Sequence, residues 1–144
     1  MDVGRSPVNL ALKPDGGELF VCNSLSDSIS EVVTNTNDVG GAYTMGEDPV
    51  DGLVSRDNAL LYVANLRSQY VTVYSIDDGK RVGSVRVGDG PSALAFSANS
   101  FLLLVVDSRS GDVAVVRTPT LSLFTLLPTG RAPNAIADKA FKVK

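Results

Sequence analysis

A four-residue signature, Gly-x-x-Pro, recurs at Gly4 and Pro7, Gly46 and Pro49, Gly88 and Pro91, and Gly130 and Pro133, with 42 residues from each copy to the next. A fixed period of this size means that one supersecondary unit is built several times and stacked on itself. The chain of 144 residues therefore divides into repeats 4–45, 46–87 and 88–129, with 130–144 starting a fourth. Together they make one domain, because a unit this small cannot bury an apolar face without its neighbours.

The period extends well beyond Gly and Pro. Phe20-Val21-Cys22-Asn23, Tyr62-Val63-Ala64-Asn65 and Leu104-Val105-Val106-Asp107 fall at the same place in successive repeats. Each is a β-favouring apolar segment that ends in Asn or Asp, a side chain able to bond its own backbone and stop a strand. Before it lies a strand that starts after the Pro: Val8 to Leu12, Val50 to Val54 and Ser92 to Phe96, with Asn134 to Ala137 as a fourth copy. After it come a short polar loop and a third strand, at Ile29 to Val33, Val71 to Ser75 and Val113 to Arg117. A turn then leads to a fourth strand that runs to the next Gly.

No stretch carries the spacing of three and four that an amphipathic helix needs, so the chain reads as all β. Four-stranded antiparallel units of this length, repeated without helices, predict the blades of a β-propeller. In such a blade the strand after the Pro lines the central channel. Both faces of the sheet pack on neighbours, which explains why the second strand is apolar throughout instead of alternating. Three blades and a trailing strand are too few to close a ring, so two apolar faces are left open. The expected remedy is a missing propeller segment upstream or a protein partner. A homo-oligomer is the rival, two chains supplying six blades, though each trailing strand would then duplicate one in its neighbour.

Charge and composition narrow the partners. The net charge is -3 and no basic stripe exists to neutralise phosphates, which argues against nucleic acid. No apolar run exceeds six residues, the length of Phe101 to Val106, so no helical membrane span is encoded. Histidine is absent and Cys22 stands alone, which excludes His-ligated metals, His-dependent nucleophilic devices and an intrachain disulfide. Aspartates 27, 107 and 112 form no Asp-x-Asp-x-Asp loop for calcium. No catalytic residue, metal site or cofactor is assigned.

Two groups of residues are candidates for binding. Arg5 and Arg131 share one repeat position and Arg67 and Arg109 another, all in loops at one end of the blades. Guanidinium groups around a channel mouth could hold a carboxylate or phosphate in bidentate fashion, although loop arginines commonly do no more than pair with nearby carboxylates. Asn9 and Asp51 are the polar members of the channel-lining strands, where Ala93 and Ala135 stand in the other copies. They suit a ligand pocket or, more plainly, a wet channel wall. Cys22 aligns with Ala64 and Val106 and reads as a small core residue; the repeated glycines read as positions of positive φ.

Pro7-x-x-Leu10-Ala11 followed by Pro14-Asp15-Gly16, then Tyr62-Val63-Ala64-Asn65, Val71-Thr72-Val73-Tyr74 and Val85-x-Val87-Gly88 together resemble the YVTN-type β-propeller repeat. The resemblance covers nearly the whole chain. It implies a ring of about seven blades and an exported, periplasmic or cell-surface setting, although the chain shows no signal peptide. It also implies a non-catalytic binding or structural module, here the C-terminal portion of a longer propeller. The alternative it carries is part of a lactonase-like hydrolase using channel-lining polar residues, since some propellers of this shape are catalytic. Three positions depart from the pattern: Ser97-Ala98-Asn99 replaces the Pro-Asp-Gly turn, Asp107 replaces Asn, and Glu31 stands where Val73 and Val115 do.

Overall fold

The computed structural model describes residues 2–44, 46–131 and 133–136. Twelve strands make three four-stranded antiparallel sheets. The first blade holds β1 (Pro7–Leu12), β2 (Glu18–Asn23), β3 (Ser28–Val33) and β4 (Asp38–Thr44). The second holds β5 (Pro49–Val54), β6 (Leu60–Asn65), β7 (Tyr70–Ser75) and β8 (Lys80–Arg86). The third holds β9 (Pro91–Phe96), β10 (Leu102–Asp107), β11 (Asp112–Arg117) and β12 (Ser122–Pro128). Within each sheet the strands lie in chain order, so every connection is a hairpin and the blades are propeller blades as the period predicts.

The sheets stack face to face, the first on the second and the second on the third, with β1, β5 and β9 adjacent along the inner edge. Side chains on a strand alternate between faces, and β6 shows what that means inside a stack. Leu61 and Val63 join Ala11, Phe20, Cys22 and Ile29 in the seam between blades one and two. Tyr62 and Ala64 join Leu94, Leu103, Val105 and Val116 in the seam between blades two and three. Both faces of β6 are thus core, and its unbroken apolar run follows. Cys22 is fully buried, and burial, with the charge of Asp51 adding to it, pushes its thiol up to about 12; it is the inert core residue its repeat position predicts.

The turns survive their sequence departures because the same bonds are made by different residues. Asp15 Oδ1 accepts from the Gly17 N–H at 2.9 Å, Asp57 Oδ1 from Ala59 at 3.1 Å, and Asn99 Oδ1 from Phe101 at 3.1 Å. Glu31, the odd residue of β3, takes the hydroxyl of Tyr43 at the rim of the first seam instead of entering the core. Two details differ from the strand-only expectation. The loop after β2 contains a single 3₁₀ turn, Ser24–Ser26. Of the trailing strand expected at 134–137, residues 134–136 are not in a strand and Ala137 lies outside the described residues. A strand exists only where a neighbour supplies ladder partners, and among the described residues none pairs with this segment.

One face of blade one is open. Leu94, at the seam-facing position of β9, is 8% exposed, whereas Leu10, at the same repeat position in β1, is 58% exposed. Leu12 is open in the same way, while its counterpart Val54 is buried.

Candidate functional site on the Gly-x-x-Pro loop face

The loops that precede β1, β5 and β9 lie against the loops that follow β2, β6 and β10, and the two are tied by the same pair of backbone bonds in every blade. Ser24 N–H donates to Ser6 O at 3.0 Å and Leu25 N–H to Arg5 O at 3.2 Å. Leu66 and Arg67 repeat this on Asp48 and Glu47, and Ser108 and Arg109 on Gly90 and Asp89. The residue before each Pro takes positive φ: Ser6 at 54°, Asp48 at 61° and Gly90 at 72°. The first glycine of the signature therefore has a different role from the one expected. Gly4 and Gly88 do not adopt positive φ. They are glycines because their backbone presses on the polar residue that ends the second strand: a Cβ on Gly4 would lie 2.7 Å from the Asn23 side chain, and one on Gly46 3.0 Å from that of Asn65. Gly130 breaks the rule, with φ of 104° and nothing within 4 Å.

Beneath the loops, Asn23 and Asn65 are buried and bonded to hydroxyls of the third strand. Asn23 Nδ2 donates to Ser30 Oγ at 2.9 Å, and Asn65 Nδ2 to Thr72 Oγ1 at 2.9 Å. Blade three replaces both partners, with Asp107 for the Asn and Ala114 for the hydroxyl. Asp107 is fully buried and accepts from Gly88 N–H at 2.9 Å. Burial first, then the neighbouring carboxyl of Asp112, pushes its own up to about 8. Asp107 was outside the set singled out as site residues, and the signal that marks it is its departure from the repeat.

The four arginines do not converge. Arg67 is committed to two ion pairs, at 3.2 Å from Asp27 across the first seam and at 3.8 Å from Asp48 of its own blade. Asp48 also takes the Ser24 hydroxyl, and its N–H donates to Asp27 Oδ1 at 2.8 Å. Arg109 has Gln69 and Gly90 where Arg67 has Asp27 and Asp48, and among the described residues it makes no ion pair. Its stem packs over Gly90, whose added Cβ would meet it at 2.8 Å. Arg5 and Arg131 are exposed, one ahead of β1 and the other after β12, with three blades between them.

Asn9 and Asp51, by contrast, are brought together. Asn9 Nδ2 donates to Asp51 Oδ1 at 2.8 Å across the first seam, and Leu94 N–H donates to Asp51 Oδ2 at 2.8 Å across the second. The Gly52 N–H adds a third bond at 3.0 Å. Burial raises the Asp51 pKa, and the bonds from Leu94 and Gly52 oppose the shift. With both oxygens occupied, Asp51 is a staple through the three inner strands and has little capacity left for a ligand. Among the described residues no group of three or more His, Cys, Asp or Glu side chains is placed to hold a metal ion.

A groove of about 450 Å³ at the opposite end of the second seam, lined by Tyr62, Phe96, Phe101 and Pro119 with Arg56 and Asp57 beside them, carries no signal in the repeat pattern. Tyr62 and Phe96 meet there edge to face, with ring centroids 5.4 Å apart.

No family model matches the chain, and no curated protein matches it. Solved structures do. Hydrazine synthase of Kuenenia stuttgartiensis is similar at 26% identity and a TM-score of 0.85, over 92% of this chain and 40% of that one. The WD40 repeats of RRP9 are similar at 17% identity and a TM-score of 0.81, over 92% of this chain and 41% of that one. A functionally unknown protein from Desulfotomaculum acetoxidans DSM 771 is similar at 23% identity and a TM-score of 0.78, over 93% of this chain and 46% of that one. The chain spans less than half the length of each. These likenesses establish the all-β propeller architecture of the described blades.

Proposed function

We propose that the chain is a non-catalytic binding and structural module: a run of YVTN-like blades that works within a larger propeller and offers its Gly-x-x-Pro loop face to a partner. The observation that carries this reading is the open face of blade one. Leu10 and Leu12 are exposed at positions where Leu94 and Val54 are buried by the preceding blade, so β1 is shaped to receive a blade. The solved relatives that this chain spans only in part have the length to supply such blades. Rigid loops tied down twice per blade suit recognition of a surface better than closure around a substrate. An exported or surface setting belongs to this reading, as the resemblance implies.

A hydrolase reading would rest on Asp51, whose oxygens are already bonded to Asn9, Gly52 and Leu94. The reading as a module is tested by light scattering and thermal melting of the purified chain. Association into larger species is expected, and replacing Leu10 and Leu12 together by Ser should suppress it. A monodisperse monomer with a cooperative melt would show that the open face needs no cover, and would sink the proposal.

A further inference from the structure

Blade three carries two carboxyls beside the place where blades one and two bond an amide to a hydroxyl: Asp107 stands for Asn23 and Asn65, Ala114 for Ser30 and Thr72, and Asp112 for Ser28 and Tyr70. Asp107 ends β10 and Asp112 opens β11, and the two are direct cross-strand partners. Asp107 is fully buried, and Oδ1 of each carboxyl is buried without a partner. The other oxygen of Asp107 accepts from the Gly88 N–H. The groups converge beneath Gly88: a Cβ built there would lie 2.5 Å from Asp112 Oδ1 and 2.6 Å from Asp107 Oδ2. The charges around the pair are negative or turned away. Asp89, in the loop above, adds to the negative field, and its N–H donates to Ser110 Oγ at 2.8 Å. Arg109 lies over Gly90, and the neighbours from β9 and β12, Pro91 and Pro128, are uncharged.

Two carboxylates cannot both be ionised at such a place unless something positive sits between them. We propose that Asp107 and Asp112 share one proton in the folded protein, and that this shared proton makes the stability of blade three beneath the Gly88–Pro91 loop sensitive to pH. The proton replaces the amide hydrogen with which Asn23 and Asn65 bond their own third strands. When it leaves, two charges face each other around buried oxygens, and the Gly88 N–H, which bonds the charged carboxyl more strongly than the neutral one, offsets only part of their repulsion.

The direction of the effect follows from linkage. An unfolded Asp ionises near 3.8, whereas the folded Asp107 keeps its proton to about 8. Between those values the folded state binds more protons than the unfolded one, so stability declines as pH rises from about 4 to about 8 and levels above. The experiment follows the urea midpoint of the whole chain over that range, for the parent and for Asp107→Asn. It also follows the Asp107 carboxyl carbon and the Gly88 amide of the parent by NMR. We expect the parent midpoint to fall with rising pH, Asp107→Asn to flatten that fall, and the carboxyl and the Gly88 amide to titrate together well above the ordinary aspartate range. An Asp107 that titrates like a free aspartate, or a decline unchanged in Asp107→Asn, would overturn the proposal. So would a stabilisation by added calcium that Asp107→Asn abolishes, since a cation and not a proton would then hold the two oxygens.

Discussion

The two seams of this molecule join similar blades by different means. Between blades one and two, polar links run along the whole height of the interface: Arg67 with Asp27, Ser24 with Asp48, Asn9 with Asp51, and Asp15 N–H on Asn58 Oδ1 at 3.0 Å. Tyr74 adds a bond from its hydroxyl to Thr44 O at 2.6 Å. Between blades two and three, the described cross-blade hydrogen bonds are fewer, Leu94 N–H to Asp51 and the backbone bond of Gly90 N–H to Ser68 O at 3.2 Å, and the packing is a larger apolar cluster around Leu103, Val105 and Val116. The same repeat position therefore does not fix the same interaction. Apolar packing is available wherever two blade faces meet, whereas a polar link needs a particular residue on each side.

If the second seam is held by packing, removing a central side chain there should have the largest effect. Leu103 is fully buried in that cluster, and Leu103→Ala should cost about 2–5 kcal/mol of stability. Urea unfolding with an unchanged slope would measure it. A loss below about 1 kcal/mol would mean that the blades barely depend on the seam.

Asp51 belongs to both seams, and its removal tests whether the inner strands are stapled. Asp51→Ala strands the Leu94 N–H and the Asn9 amide, a cost of about 1–3 kcal/mol. In a double-mutant cycle with Asn9→Ala, the coupling should be positive and smaller than the effect of Asp51→Ala alone, because Leu94 is lost independently of Asn9. Equal single and double losses would instead place the whole effect on the Asn9 bond.

How much of this was readable in advance differs by level. The blades were legible because a strand buried on both faces must be apolar throughout, and Tyr62-Val63-Ala64 can sit nowhere else. The turn at Asn99 departs from the Pro-Asp-Gly pattern and still forms, since Asn bonds the backbone two residues on as Asp does. The glycines were legible as necessary but not for their reason, because the contact of Gly4 with Asn23 joins the edge of one unit to its middle. Asn9 and Asp51 share a repeat position, which in one dimension made them separate lining residues. Only stacking, which offsets one blade against the next, turns them into a bonded pair. The exchange of Asn for Asp at 107 was visible, yet its meaning depended on the simultaneous loss of a hydroxyl at Ala114 and on Asp112 opposite.

A polar link of the first seam can be transplanted into the second. Ser100 stands in blade three where Asn58 stands in blade two, both with positive φ, at 61° and 62°. Asn58 accepts from Asp15 across the first seam, whereas Ser100 Oγ is buried without a partner. Ser100→Asn should place an acceptor before the Asp57 N–H and supply a residue that better tolerates the left-handed conformation. A gain of about 0.5–1.5 kcal/mol is expected, the net worth of one hydrogen bond. It should vanish in the double variant with Asn58→Ala only if the two seams are coupled; additivity would show that each seam holds its own blade pair.

Arg67 should matter least, despite making the most conspicuous contacts of the loop face. Its side chain is 51% exposed and Asp27 is 45% exposed, so solvent screens the pair and ordering a long side chain offsets much of the attraction. Arg67→Ala should lower stability by about 0.2–1 kcal/mol, and the difference should shrink as salt is raised. The residue it leaves behind is informative, because Asp48 remains bonded to Ser24 and its N–H to Asp27. Those bonds hold the loop with or without the guanidinium. A loss of several kcal/mol, insensitive to salt, would mean that Arg67 organises the loop instead of decorating it, and the first seam would then depend on its ion pairs as the second depends on Leu103.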